Sequence, residues 1–365
     1  MRVVVFGRRV RRGPGEVPIR APGSRAGRGK PRPVRAVLRG GGVLALAVLV
    51  LFLVVLSTWI GAKDTTLAQV WTAIWNGDGS YTTDVIRQLR LPRTLAGLMT
   101  GAALGVAGAV MQAITRNPLA DPGLLGVNAG ASAAVVFGIG VVGLASFGSL
   151  VWFSFAGAAI TTVIVYMLGA SGRAGPTPVR LALAGAAVSA CLSGVIAGLT
   201  VFDSATYDYL RFWMVGSLAG REPELVLQLV PFVAAGLVVA LFLARPLNSL
   251  ALGEELGRAL GTRIVRTRAF AVVTVTLLCG TATAAAGPIG FVGLVVPLVA
   301  RRLTGPDLRW VLPYSMLLAP VLLLASDIIG RVVLPDDELE VGAVTAIIGA
   351  PVFIAMVYRR REASL

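Results

Sequence analysis

The chain has 365 residues, of which 56% are hydrophobic and only 14% charged, with a mean hydropathy of +0.81; a soluble domain carries about a quarter charged residues, so a water-soluble globular protein is excluded. The formal net charge is +15, but residues 1–42 alone hold twelve basic side chains against one acid, Glu16, so the excess is one tail and not a nucleic-acid surface. There is no histidine, and the two cysteines, Cys191 and Cys279, both fall in apolar segments, which leaves no histidine metal site, no histidine acid–base chemistry and no disulfide framework.

Residues 1–42 are rich in Arg, Gly and Pro without apolar periodicity and are predicted to be a disordered basic cytoplasmic arm. Its charge suits a topogenic flank or contact with anionic head groups of membrane lipid. Val43–Ala62 supplies about 20 apolar residues, enough to cross roughly 30 Å of hydrocarbon, and exceeds the apolar core of a cleaved signal peptide, about 7–15 residues. Nine further apolar segments follow, at about Thr94–Ile114, Gly123–Ala145, Val151–Gly169, Leu181–Val201, Leu225–Ala244, Ala269–Gly287, Ile289–Ala300, Trp310–Ile329 and Val341–Tyr358. The expected fold class is all-α integral membrane, with about ten transmembrane helices over residues 43–365. The eighth segment is too short to span alone. Its lead-in, Gly287-Pro288-Ile289-Gly290-Phe291-Val292-Gly293, predicts a broken helix, tolerated in lipid only where protein or a water-filled cavity surrounds it.

The second segment and its sequel, Arg90 to Ser132, carry the densest pattern. Gly97, Gly101 and Gly105 recur every fourth residue and line one helix face, which lets a second helix approach closely. The hexapeptide Asn117-Pro118-Leu119-Ala120-Asp121-Pro122 then stops one helix and restarts another.

Charge supports ten spans. With the N-terminus inside, interior segments collect 26 Lys/Arg and exterior ones 7, while acids divide six inside, eleven outside and one, Asp327, within a span. This obeys the positive-inside rule and places both termini in the cytoplasm. Removing the eighth span would carry Arg359, Arg360 and Arg361 outside, against the rule.

Chemistry is sparse. Asp327 is the lone charge within a span, and a single carboxylate near a helix end suits packing or capping; a membrane-embedded enzyme, such as a lipid-linked transferase, calls for paired intramembrane groups. No phosphate-cradling G-x-x-x-x-G-K-[ST] loop occurs, since the nearest approach, Ser24 to Pro31, has Ser for the first Gly and Pro after Lys. In the loop at about 245–268, Leu252, Leu256 and Leu260 repeat every fourth residue between two glycine breaks, which predicts a short amphipathic helix. Glu254 and Glu255 stand at its start, where the dipole favours acids, and Gly261 is placed to end it. Outside, Arg90 and Arg93 flank Leu91-Pro92, and Arg331 follows the ninth span; each suits a simple interfacial anchor.

Several of these stretches together resemble a known family. The hexapeptide at 117–122, GLLGVNAGAS at 123–132, LRFWMVGSL at 210–218, LGEELGRALG at 252–261, GPIGFVG at 287–293 and DIIGRVVLP at 327–335 are similar to the permease subunits of ATP-driven importers for iron–siderophore complexes, haem and vitamin B12. The likeness runs from about Gly61 to the C-terminus, and GLLGVNAGAS, LRFWMVGSL and DIIGRVVLP look most like ferric enterobactin-type permeases. The resemblance implies a type II importer permease in the cell (inner or plasma) membrane, with two permeases paired to two ATPase subunits. Siderophore permeases often pair as two different chains, which favours a heterodimer over a homodimer. It implies no cofactor on this chain, ATP with Mg on the partner ATPase, and cargo delivered by an extracytoplasmic substrate-binding protein. By the same resemblance, Leu252, Gly253, Glu254, Glu255, Leu256, Gly257, Leu260 and Gly261 form the helix that seats in the ATPase. Arg90, Arg93 and Arg331 receive acidic side chains of the binding protein, a task for which the planar guanidinium fork is suited. Asn117 and Leu119, with Pro178 and Val179, narrow the inner mouth of the pathway. Two positions depart from the family pattern: Leu298 where a histidine often follows Pro297, and Glu340 where proline usually precedes Val341-Gly342.

Overall fold

The computed structural model describes residues 32–61, 65–76, 79–144, 146–171, 177–202, 204–334 and 337–362. Contacts divide the chain into residues 1–38 and 39–365, and every apolar span lies in the second unit. Most of the predicted basic arm, residues 1–31, lies outside the described residues.

Among the described residues all regular structure is helical. The first helix, α1 (Arg32–Trp59), begins before the expected Val43 and runs through Gly40-Gly41-Gly42, so residues 32–42 of the basic arm expected to be disordered are helical. An exterior segment that sequence reading treated as loop holds α2 (Leu67–Trp75) and α3 (Tyr81–Asp84). A π-helical stretch, Val85–Arg90, then feeds α4 (Leu91–Thr115), with Leu91 N–H bonded back to Ile86. After a 3₁₀ turn at Pro122–Leu125 come α5 (Val127–Gly140), α6 (Phe147–Ala170) and α7 (Pro178–Phe202). The short exterior helix α8 (Ser204–Val215) leads to α9 (Pro223–Ala251), and α10 (Glu254–Ala259) joins it to α11 (Ile264–Ala286). The chain closes with α12 (Val292–Thr304), α13 (Leu308–Val333) and α14 (Val341–Glu362).

Among the described residues, seven helices are long and apolar enough to cross a bilayer. The other three expected spans correspond to α5, α12 and α14. At 13 residues and 1.5 Å per residue, α12 reaches only about 20 Å. It starts after the irregular run Gly287–Phe291, in which Gly287 and Phe291 take φ 75° and 65°, as the broken-helix reading expects. Pro246 lies inside α9, so the predicted loop at 245–268 contracts to residues 252–263; membrane helices tolerate proline when neighbours satisfy the freed carbonyl.

The core forms around α4. Its glycine stripe faces α13: a Cβ on Gly97 would sit 2.8 Å from Leu324 Cδ2, on Gly101 2.7 Å from Pro320 N, and on Gly105 2.6 Å from Ser315 O. Gly108 continues the stripe against the Gly293 carbonyl of α12. The predicted close approach therefore occurs within the chain. At the foot of α4, Arg116 takes a left-handed φ of 51°. The backbone then turns back inward, capped by Asp121 Oδ1, which accepts from Gly123 N–H at 2.7 Å.

Candidate functional site

The exterior end gathers all three predicted arginines around one open cavity of about 440 Å³. Its lining includes Gly61, Tyr81, Arg90, Arg93, Arg331 and Glu338. Two of the arginines turn inward. Arg90, delivered by the π-helical stretch, donates through Nη1 to the carbonyls of Thr58 (3.2 Å) and Trp59 (2.7 Å) and to Thr65 Oγ1 (2.9 Å). Arg331, in the last turn of α13, donates to the carbonyls of Ser57 (2.8 Å) and Ile60 (3.0 Å). These are the orphan carbonyls that any helix leaves at its C-terminus, and two cations there complement the negative end of α1. Both are buried against the end of α1, which is a helix cap and not a simple interfacial anchor, and both also border the cavity.

Arg93 differs. Its Nε and Nη2 fork onto Asp327 at 2.8–3.2 Å, and Nη1 donates to Glu338 Oε2 at 2.6 Å. Asp327 is fully buried and also pairs with Arg331. Its role is more specific than packing or capping: it is a shared counter-ion for two arginines. Glu338 carries no expectation from the sequence, in which Glu340 is the acid that departs from the family pattern. In the structure Glu338 reaches Arg93, whereas Glu340 acts on Arg221, whose charged form it favours. Arg221, in the loop between α8 and α9, lies over the Phe147 ring at 4.5 Å and donates to the Ser217 carbonyl at 2.7 Å. Burial pushes its pKa down to about 10, with Tyr209 and Glu340 opposing.

At the opposite end, α10 forms as predicted between Gly253 (φ 123°) and Gly261 (φ 79°). Both backbone settings favour glycine over any residue with a Cβ. Gly261 N–H bonds to the Arg258 carbonyl and Thr262 N–H to Gly257, both at 2.9 Å, a Schellman termination. Leu252, Leu256 and Leu260 are 61%, 58% and 63% exposed, so this leucine row is largely uncovered among the described residues. The helix is fixed from its other side: Glu254 accepts from Arg268 of α11 at 2.6 Å, and Gly257 lies against the end of α9 at Ser249. Arg268, by hydrogen bond and charge, holds the Glu254 carboxyl below the ordinary glutamate value. Glu255 is exposed.

A second open cavity, about 560 Å³, borders the foot of α4 and includes Gln112, Arg116, Leu119, Leu298, Arg301 and Arg302 in its lining. Leu119 is thus placed on a cavity wall, and Leu298 lines the same space. Asn117 and Val179 do not line it. Asn117 shapes the turn, its Oδ1 accepting from Leu119 N–H at 2.9 Å, and Val179 is exposed in the first turn of α7.

The model of the FecCD transport family matches residues 49–359. The chain is 48% identical to the ferric enterobactin transport system permease protein FepD of Escherichia coli (strain K12) over 326 residues, covering 89% of this chain and 97% of that one. It is 41% identical to the Fe(3+)-citrate import system permease protein YfmD of Bacillus subtilis (strain 168), covering 83% and 90%. Among solved structures, an inward-facing conformation of a metal-chelate type ABC transporter superposes with a TM-score of 0.78 at 28% identity, covering 88% and 99%. The chain belongs to the FecCD transport family: it is a membrane-embedded permease subunit of an ATP-driven importer, not an enzyme.

Proposed function

We propose that this permease moves ferric siderophore complexes of the enterobactin type into the cytoplasm. The 48% identity to a ferric enterobactin permease over nearly the whole chain supports that cargo, and the similarity to a ferric citrate permease supports an iron chelate over vitamin B12 or haem. The ATPase subunits, carrying ATP and Mg, seat the leucine row of Leu252, Leu256 and Leu260 with the glycine-bounded helix at Gly253–Gly261. A loaded substrate-binding protein docks over the exterior cavity. Arg93 is its direct receiver, and Arg90 and Arg331 hold the rim and add positive potential. By the family resemblance, Asn117 and Leu119, with Pro178 and Val179, narrow the inner mouth.

A second permease completes the pathway, and a different chain fits better than a copy of this one, by analogy with paired siderophore permeases. The face of α7 suits that contact. Between Leu183 and Val201, which are exposed as Val195 is, its exposed side carries the small residues Ala186, Ala190, Cys191, Gly194, Ala197 and Gly198, whereas α1 presents Leu44, Val48, Leu51 and Phe52. Small residues admit a neighbouring backbone; large ones suit lipid.

The decisive experiment is uptake into proteoliposomes holding this chain, its partner permease and the ATPase, with the binding protein outside. Radiolabelled ferric enterobactin accumulating in an ATP-dependent manner, with cobalamin and haem excluded, is the expected outcome. Accumulation of cobalamin or haem instead overturns the cargo assignment.

A further inference from the structure

The two carboxylates that hold Arg93 are unlike each other. Asp327 is sealed, fully buried and shared between Arg93 and Arg331. Glu338 is 38% exposed and touches Arg93 through Nη1, on the side where the exterior cavity opens. Its backbone is pinned, since the adjacent Leu339 N–H donates to the Gly330 carbonyl at 2.9 Å. Only its side chain needs to rotate for the carboxylate to leave.

The charges decide what can replace it. Arg93 and Arg331 pair directly with Asp327 and Glu338, and Arg90 adds a third positive charge on the same wall. A second acid brought to Arg93 while Glu338 remains would find Nη1 taken and meet the like charge of the Glu338 carboxylate there. An acid that takes the place of Glu338 avoids that repulsion and inherits a guanidinium already oriented by Asp327. Ion pairs as exposed as the Glu338 contact are weak, whereas the Asp327 pair is costly to break. Exchange is therefore confined to one of the two carboxylates.

We propose that Glu338 is a displaceable internal counter-ion: it occupies Arg93 when the permease is undocked and yields Arg93 Nη1 to a carboxylate of the docking protein. Glu338 thereby sets the threshold for docking, so that only a partner presenting an acid at this place seats fully. The inference rests on the docking reading above and adds a competitor to it.

Two measurements test it on the full permease–ATPase complex in lipid nanodiscs. The first uses phenylglyoxal, an arginine-directed reagent, with modification read by mass spectrometry. Glu338→Gln should raise the rate at Arg93 several-fold and leave Arg331, behind Asp327, unchanged. The second measures the affinity of the importer's own soluble binding protein. Glu338→Gln should tighten it about threefold to fivefold, the scale of one partly exposed ion pair, whereas Arg93→Ala should weaken it. If Arg93→Ala weakens docking but Glu338→Gln leaves it unchanged or weaker, displacement is wrong and the docking reading stands. If Arg93→Ala leaves docking unchanged, the docking reading falls and the inference falls with it.

Discussion

Glu254 at the start of α10 and Arg268 in the second turn of α11 meet at 2.6 Å, the arginine nearly buried and the glutamate 41% exposed. The pair ties the projecting cytoplasmic helix to a core helix. α11 packs along α4, α6 and α9, so a push on the exposed leucines of α10 is delivered to the middle of the membrane unit. Glu254 thus does two things: it favours the helix start through the dipole and supplies one end of a strut.

Glu254→Gln should loosen the strut without unfolding the permease. Hydrogen exchange at the amides of Leu256–Leu260 should accelerate, and transport per ATP hydrolysed should fall. The pH dependence follows from the sign of the shift. The carboxyl is held below its ordinary value in the folded chain, so the tie is present above the ordinary glutamate range and is lost as pH falls through the lowered value. The difference between wild type and variant should hold constant from about pH 8 to 5 and close below about pH 4. Screening at this exposed site keeps the stability contribution small.

The leucine row should carry binding and not folding. Leu256→Asp replaces an exposed side chain, so the melting temperature of the isolated subunit should move little, since surface changes of this kind are usually within about 0.5 kcal/mol. Co-purification with the ATPase should be lost, because a charge would enter an apolar groove. Retention of the ATPase at wild-type stoichiometry would remove α10 as the seat.

How much of this was legible in the sequence differs from feature to feature. The long spans, the broken lead-in to α12 and the glycine-bounded α10 were readable, because each depends on local periodicity or on backbone settings that only glycine meets easily. The Asp327–Arg331 pair is absent from the expectations above, where Asp327 suits packing or capping and Arg331 lies outside, although a spacing of four places both on one helix face. What was hidden is long-range. Nothing local in the sequence indicates that Arg90 and Arg331 cap the end of α1, or that Arg93 reaches across to Asp327 and Glu338. Those contacts exist because α4 and α13 close on the glycine stripe, which carries their first turn and last turn to the same level beside α1. Glu340 shows the same limit: its departure from the family pattern says nothing of which carboxylate faces Arg93.

Two glycines on different helices separate internal packing from pairing. At Gly101 a Cβ would meet the Pro320 backbone at 2.7 Å, whereas at Gly194 nothing lies within 4 Å. Gly101→Leu should destabilise the subunit by about 1–3 kcal/mol or more, as overpacking does, and lower its thermal midpoint in detergent. Gly194→Leu should leave that midpoint unchanged and abolish cross-linking to the second permease. Equal thermal losses for the two would mean that the open face of α7 is covered from within the chain.

The Arg93–Asp327–Arg331 cluster gives the sharpest contrast between stability and function. Asp327→Ala strands two arginines in a largely buried site; loss of one partner from such a cluster costs about 3–5 kcal/mol, and the variant should be poorly expressed. Replacing the cluster as a whole, with Arg93→Met, Asp327→Leu and Arg331→Met together, removes the charges and their desolvation at once, and such replacements are often neutral or stabilising by about 1–4 kcal/mol. Arg331 also caps α1, so some of that gain should be lost to the orphaned Ser57 and Ile60 carbonyls. The triple variant should therefore fold near wild-type stability, measured by thermal unfolding in detergent, yet fail to bind the substrate-binding protein. A triple variant that folds and docks normally would show that the arginines serve only the architecture of the exterior end.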